Sequence, residues 1–199
     1  MRKSVKVNGF HAFCMMERIM CNLLMKSALA YRVLTEYEYT LVCGRKGVLT
    51  HVTILFPVNA YHHLAGFQYA RLAALSDRKT ALDTILTEKV THSQLASSGF
   101  QHNDRLECIE RLQTHLENNQ FVFRYRGHEP SFSKVRADYL MQMEDITFFT
   151  SDNVPVSIFK NTETDYQSGC PQLTVLQIRR KHLKTGEETV TYQRKGYSE

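Results

Sequence analysis

Residues 37–56, YEYTLVCGRKGVLTHVTILF, change the period of the chain from helical to extended, and this change decides the fold. Tyr37-Glu38-Tyr39-Thr40-Leu41-Val42-Cys43 and Val48-Leu49-Thr50-His51-Val52-Thr53-Ile54-Leu55-Phe56 are rich in β-branched and aromatic residues. Such residues suit a pleated, half-buried surface. Gly44-Arg45-Lys46-Gly47 between the two runs reads as the turn of a hairpin. Pro57 stops the second strand, and Asn59 can cap a following helix by accepting backbone N–H bonds.

On the N-terminal side of the hairpin, the spacing of Phe13, Met16, Met20, Leu23 and Leu24 predicts a helix from Phe10 to Leu34. On the other side, residues 59–118 read as three helical pieces: Ala60–Leu75, Asp77 to about Thr91, and Asp104–Asn118. Asp77 and Asp104 suit an N-cap or first turn, and Ser97-Ser98-Gly99 breaks the run between the last two. Leu106, Ile109, Leu112 and Leu116 form the apolar stripe of the third piece. From residue 119 to 195 the signals are those of strands. Phe121–Tyr125 alternates, Tyr139–Met143 alternates loosely, and Ile146–Phe149 and Val154–Phe159 are short apolar runs. Leu173–Arg179 pairs with Glu188–Gln193 across the turn Lys184-Thr185-Gly186-Glu187. No repeat or linker divides the chain. The expectation is one α+β domain over residues 1–199, with N-terminal helices packed on an antiparallel sheet and an additional N-terminal β-hairpin.

The 199 residues suffice for one core. A hydrophobic content of 43% with 23% charged residues excludes a disordered chain. The net charge of +5 helps the chain approach a polyanion without identifying one. Cys14, Cys21, Cys43, Cys108 and Cys170 are odd in number and none forms a C-x-x-C pair, so neither a disulfide framework nor a zinc knuckle is expected. Met1-Arg2-Lys3 and the apolar residues after it imitate a signal peptide, but Glu17, Arg18, Asn22 and Lys26 interrupt the stretch. No run is long enough to span a membrane. A cytoplasmic protein with no membrane partner is the expectation.

Among residues that carry chemistry, His62-His63-Leu64-Ala65-Gly66-Phe67 stands out, placed after a strand and at the start of a helix. Unpaired amides and the helix dipole favour an anion there, and an imidazole beside it can exchange protons near neutral pH. The competing reading has one histidine in the core and the other in water. Adjacent histidines diverge around a helix, so they do not suit a metal, and neither a metal nor any other cofactor is expected. No phosphate loop, dinucleotide turn or nucleophile elbow is present, which weakens nucleotide hydrolysis, redox and acyl transfer. Arg105 and Arg111 lie six apart on the third helix, on roughly opposite faces. Arg124, Arg126, Lys134 and Arg136 flank Phe123, Tyr125, Phe132 and Tyr139, and Arg179, Arg180, Lys181 and His182 end a later strand. Aromatics interleaved with arginines suit RNA, and they also occur on an ordinary solvated sheet. Ser157 can bind a phosphate oxygen or cap a loop.

Taken in order, these motifs resemble the phage-associated branch of the Barnase–EndoU–Colicin–RelE-like nucleases. The resemblance is carried by Phe56-x-x-Asn59-x-x-x-His63-Leu64-x-Gly66, Ile109-x-Arg111-Leu112, Ala137-Asp138-Tyr139-Leu140, Ser157-x-Phe159, and Leu176-x-Ile178 before Lys184-Thr185-Gly186. It implies a phage or mobile-element origin, a toxin-like role and an RNA substrate, possible targets being tRNA or mRNA. It also implies His63, Arg111, Ser157 and Tyr139 as catalytic residues. The mechanism that fits is metal-independent: His63 deprotonates a 2′-hydroxyl, which attacks the adjacent phosphate and leaves a 2′,3′-cyclic end. Arg111, with Arg136 or Lys181, would stabilise the phosphate charge, and His62, Arg105 and Arg179 would help bind substrate. An immunity or antitoxin protein is the expected partner. A non-catalytic RNA- or protein-binding module is the alternative.

Overall fold

The computed structural model describes residues 23–127 and 135–198. Residues 10–22 of the expected first helix, together with Cys14, Cys21, Phe132 and Lys134, lie outside them. The described part of that helix, α1, covers residues 23–34. It is fixed through hydroxyls: Tyr31 donates to the Pro57 carbonyl at 2.9 Å, and Ser27 Oγ lies 2.9 Å from the Tyr61 hydroxyl.

The strands are β1 (Tyr37–Arg45), β2 (Val48–Leu55), β3 (Phe121–Arg124), β4 (Tyr139–Met143), β5 (Ile146–Ser151), β6 (Val154–Lys160), β7 (Gln172–His182) and β8 (Glu188–Gln193). All the pairings are antiparallel, and the sheet runs β2-β1-β7-β3-β4-β5-β6. β8 pairs with β7 on the edge that β3 also uses. The β1–β2 turn has only two residues between paired Arg45 and Val48, and both are left-handed: Lys46 at φ 49° and Gly47 at φ 78°. That geometry matches the twist of the flanking strands. The hairpin is no appendage, because β1 pairs with β7 from Tyr37↔His182 to Gly44↔Thr174. The sheet also curls. The Leu55 amide of β2 donates to the Asn153 carbonyl in the β5–β6 turn at 2.8 Å, which joins opposite ends of the strand order.

Two apolar layers result. The main core sits between sheet and helices and includes Tyr39, Leu41, Val52, Ile54, Phe148, Ile158, Val175 and Ile178 with Leu106, Ile109, Leu112 and Leu116. A smaller one, with Phe123, Tyr125, Leu140, Phe149 and Tyr166, also draws on the β6–β7 connection.

The helical segment is more broken than its hydrophobic period suggests. It comprises α2 (Ala60–Leu64), two 3₁₀ turns (Phe67–Tyr69 and Ala73–Leu75), α3 (Ala81–Leu86), α4 (His92–Ser97) and α5 (Asn103–Glu117). The expected helix Ala60–Leu75 ends after one and a half turns because Gly66 takes φ 81°. The expected helix from Asp77 to Thr91 shrinks to Ala81–Leu86, and Glu88 at φ 56° turns the chain away. Thr91 then caps α4 in a reciprocal pair with Gln94. α5 matches the predicted stripe and starts one place earlier, at Asn103, with Asp104 in its first turn and His102 at the N-cap. No helix among the described residues is long and apolar enough to cross a membrane.

Candidate active site

β6 contains a bulge. Phe149 pairs with Ser157 and Thr150 with Pro155, so Val156 has no partner on β5. Bulges re-aim local groups and gather beside active sites. The imidazole of His63, on α2, lies against the Val156 carbonyl. His63 is exposed, and its pKa is lowered, first by partial desolvation and then by the guanidinium groups of Arg105 and Arg78. The Val156 carbonyl opposes that shift without cancelling it. An imidazole so placed is neutral near pH 7 and able to accept a proton.

Arg105 comes from the first turn of α5 and donates to the Leu64 carbonyl at 3.3 Å. Gly66 makes that approach possible. A Cβ at Gly66 would lie 3.2 Å from Arg105 Cδ and 3.2 Å from His102 Cβ and Cδ2. His102 is the N-cap residue of α5 and gives no side-chain cap. Its ring centroid is 4.9 Å from that of Tyr69, and it meets Phe100 edge-on at 5.7 Å. His63, Arg105, His102 and Tyr69 thus form a cluster around Gly66, with exposed Arg78 near enough to act on the His63 imidazole. The surface of this cluster is basic, and the positive end of the α5 dipole adds to it.

His62 is not part of this surface. Its side chain is 4% exposed, packs edge-on against Phe67, and leaves Nδ1 buried with no hydrogen-bond partner among the described residues. Burial lowers its pKa, so it stays neutral. His62, expected to help bind substrate, is packed as a core histidine. Of the pair, His63 is the open one.

Arg111 is held elsewhere. It donates to Asp145 Oδ2, in the β4–β5 turn, at 2.8 Å. That pair holds the guanidinium pKa up and the carboxylate pKa down. Ser157 follows the bulge residue Val156 but is only 9% exposed. Tyr139 pairs with Arg124 and Thr150 and packs partly against the main core. Arg136 is exposed in the segment before β4, and Lys181 is exposed on β7 opposite Glu38 and Glu188. Arg179 bonds Glu188 at 3.2 Å. The structure thus joins His63 with Arg105 and the Val156–Ser157 bulge, turns Arg111 of the same helix toward the β4–β5 turn, and places Arg179 and Lys181 on β7. His102 and Tyr69 escaped the sequence reading because no local pattern connects them.

His115, Glu144 and Asp145 offer the described residues' one three-ligand group for a cation, their ligand atoms all lying within 4.8 Å of one another. Asp145 Oδ2 is already paired with the Arg111 guanidinium, which puts a positive charge beside the group. A recess of about 510 Å³ at the β1–β2 tip is lined by Gly44–Leu49, Gln172, Thr174 and Leu176. It contains no imidazole or carboxylate, so proton-transfer chemistry points to His63 instead.

Residues 23–195 match the family model described as phage-Barnase-EndoU-ColicinE5/D-RelE like nuclease 4. The chain belongs to that family. As a member of this nuclease family it carries the matched region over α1 and every strand of the sheet. Neither the curated proteins nor the solved structures contain a match to it.

Proposed function

We propose that the protein is a metal-independent endoribonuclease whose reaction centre is the surface around His63. The observation that supports this most directly is an exposed imidazole whose pKa is lowered by desolvation and by two nearby guanidinium groups, in a chain of a nuclease family. His63 takes the proton of an RNA 2′-hydroxyl. The oxygen attacks the neighbouring phosphorus, and a 2′,3′-cyclic phosphate forms as the 5′-oxygen departs. Arg105, assisted by Arg78 and the amide end of α5, stabilises the charge that builds on the phosphate oxygens. In this reading His102 returns a proton to the departing oxygen. Arg105 takes the part first expected of Arg111. Ser157 serves by shaping the bulge that seats His63.

A nuclease that cuts cellular RNA endangers the cell that makes it. The same reading therefore calls for a toxin-like role in a phage or mobile element, with a neutralising protein of acidic surface covering this basic face.

The test is cleavage of a defined RNA by the purified protein in EDTA, with the product ends identified. His63→Ala is expected to abolish cutting while the melting temperature holds, and the products to end in 2′,3′-cyclic phosphate. Full activity in His63→Ala, or loss of wild-type cutting on chelation, overturns the proposal.

A further inference from the structure

The 3₁₀ turn that follows Gly66 leaves a large aromatic ring in water. Tyr69 is 59% exposed, although its neighbour Phe67 is buried and packs on Phe100 at 5.6 Å. Its amide donates to the Gly66 carbonyl at 3.1 Å, which fixes the backbone. One side of the ring is braced by His102 at a tilt of 49°. Phe100 in turn meets His102 edge-on at 5.7 Å, so the tyrosine is braced without being buried. Tyr69 adds nothing to either apolar core.

The surroundings indicate what would rest on it. Arg105 and His102 lie at Gly66, and Arg71, two residues beyond Tyr69, is exposed. Arg71 also lines an open recess of about 390 Å³ with Leu72, Ser93, Gln94, Ser97 and Ser98. That lining is a guanidinium, an amide and hydroxyls around a single leucine. An exposed ring amid cations suits an unpaired nucleobase, whose π-face stacks while its phosphates meet the guanidinium groups. An apolar protein partner would require a broader apolar patch than one ring.

We propose that Tyr69, braced by His102, is a base-stacking subsite that restricts the site to unpaired RNA, with the adjoining nucleotide led along Arg71 into the recess. A base within a duplex is already stacked on both faces and cannot reach the ring. This inference rests on the ribonuclease reading for its substrate, while the subsite itself can be measured without catalysis.

The experiment uses a short fluorescent RNA with 2′-O-methyl groups throughout, which has no free 2′-hydroxyl to attack. Its affinity is measured by anisotropy for the wild type, Tyr69→Phe and Tyr69→Ala, alongside cleavage of an unmodified hairpin RNA. Tyr69→Ala is expected to weaken binding by about 5- to 150-fold, as loss of one base–aromatic stack would. Tyr69→Phe should bind as the wild type does, and cleavage should fall in the loop rather than the stem. Equal affinity in Tyr69→Ala, or equal cutting of loop and stem, overturns the subsite. If binding depends on Tyr69 but no RNA is cut, the subsite stands and the ribonuclease reading falls. If cutting depends on His63 but binding ignores Tyr69, the reverse holds.

Discussion

The Arg111 guanidinium donates to Asp145 Oδ2 at 2.8 Å, joining α5 to the β4–β5 turn. The pair is partly exposed, with side-chain exposures of 39% and 48%, so solvent screens it. Arg111→Ala should therefore cost less than about 1 kcal/mol in chemical denaturation. RNA cleavage should change only a few-fold. Arg105→Ala should lower kcat/KM by about 10²–10³, the usual effect of losing a donor to a charged transition state. Measuring both variants on one substrate tells which arginine serves the phosphate.

His63 has a pKa below its ordinary 6.5. A base of that kind gives a rate that falls on the acid side, with a midpoint below 6.5. Arg78 contributes to the lowering, so Arg78→Gln should move the midpoint upward. A kcat/KM profile between pH 4.5 and 8, sampled about every half unit, checks the direction. An unmoved acid limb would mean that another group titrates.

Buried His62 makes stability depend on pH. Its folded-state pKa lies below the unfolded one, so the unfolded chain binds more protons in the window between them. Stability is fully present above the unfolded pKa of about 6.5 and declines as pH falls toward the folded value. The melting temperature should drop between pH 7 and pH 5, and drop less in His62→Leu, which also removes the unpartnered Nδ1. The two melting curves, each taken at both pH values, provide the comparison.

Gly66→Ala should destabilise the protein by about 1–2 kcal/mol through its left-handed backbone alone. The new methyl would also press on Arg105 and His102 at 3.2 Å. Cleavage should fall by more than global stability explains, because both side chains lie at the proposed centre. Urea denaturation and single-turnover cleavage separate the two effects.

The sheet was largely legible because its signals are local. Lys46-Gly47 sets a two-residue turn, and Lys184-Thr185-Gly186 stands between strands that pair as expected. The helices between Ala60 and Thr91 were not, since hydrophobic period persists across a Gly66 that ends the helix. At the proposed site, His63 stands out in the sequence as a motif residue. The choice between Arg105 and Arg111 was not: both lie on α5, and which one meets α2 depends on how the helix lies across β6. Tyr69 and His102 meet only after a long excursion through α3 and α4.

The position of β7 between β1 and β3 governs how the molecule is assembled. Until residues 172–182 arrive, the hairpin and the β3–β6 meander are two rafts without a shared strand, each with a bare edge. Closing them requires pairing Tyr37 with His182, a contact that spans most of the chain and forms slowly. A ribosome would have to release the chain through residue 182 before the curled sheet could lock, so a nascent fragment that lacks β7 has no completed scaffold on which to hold the proposed surface.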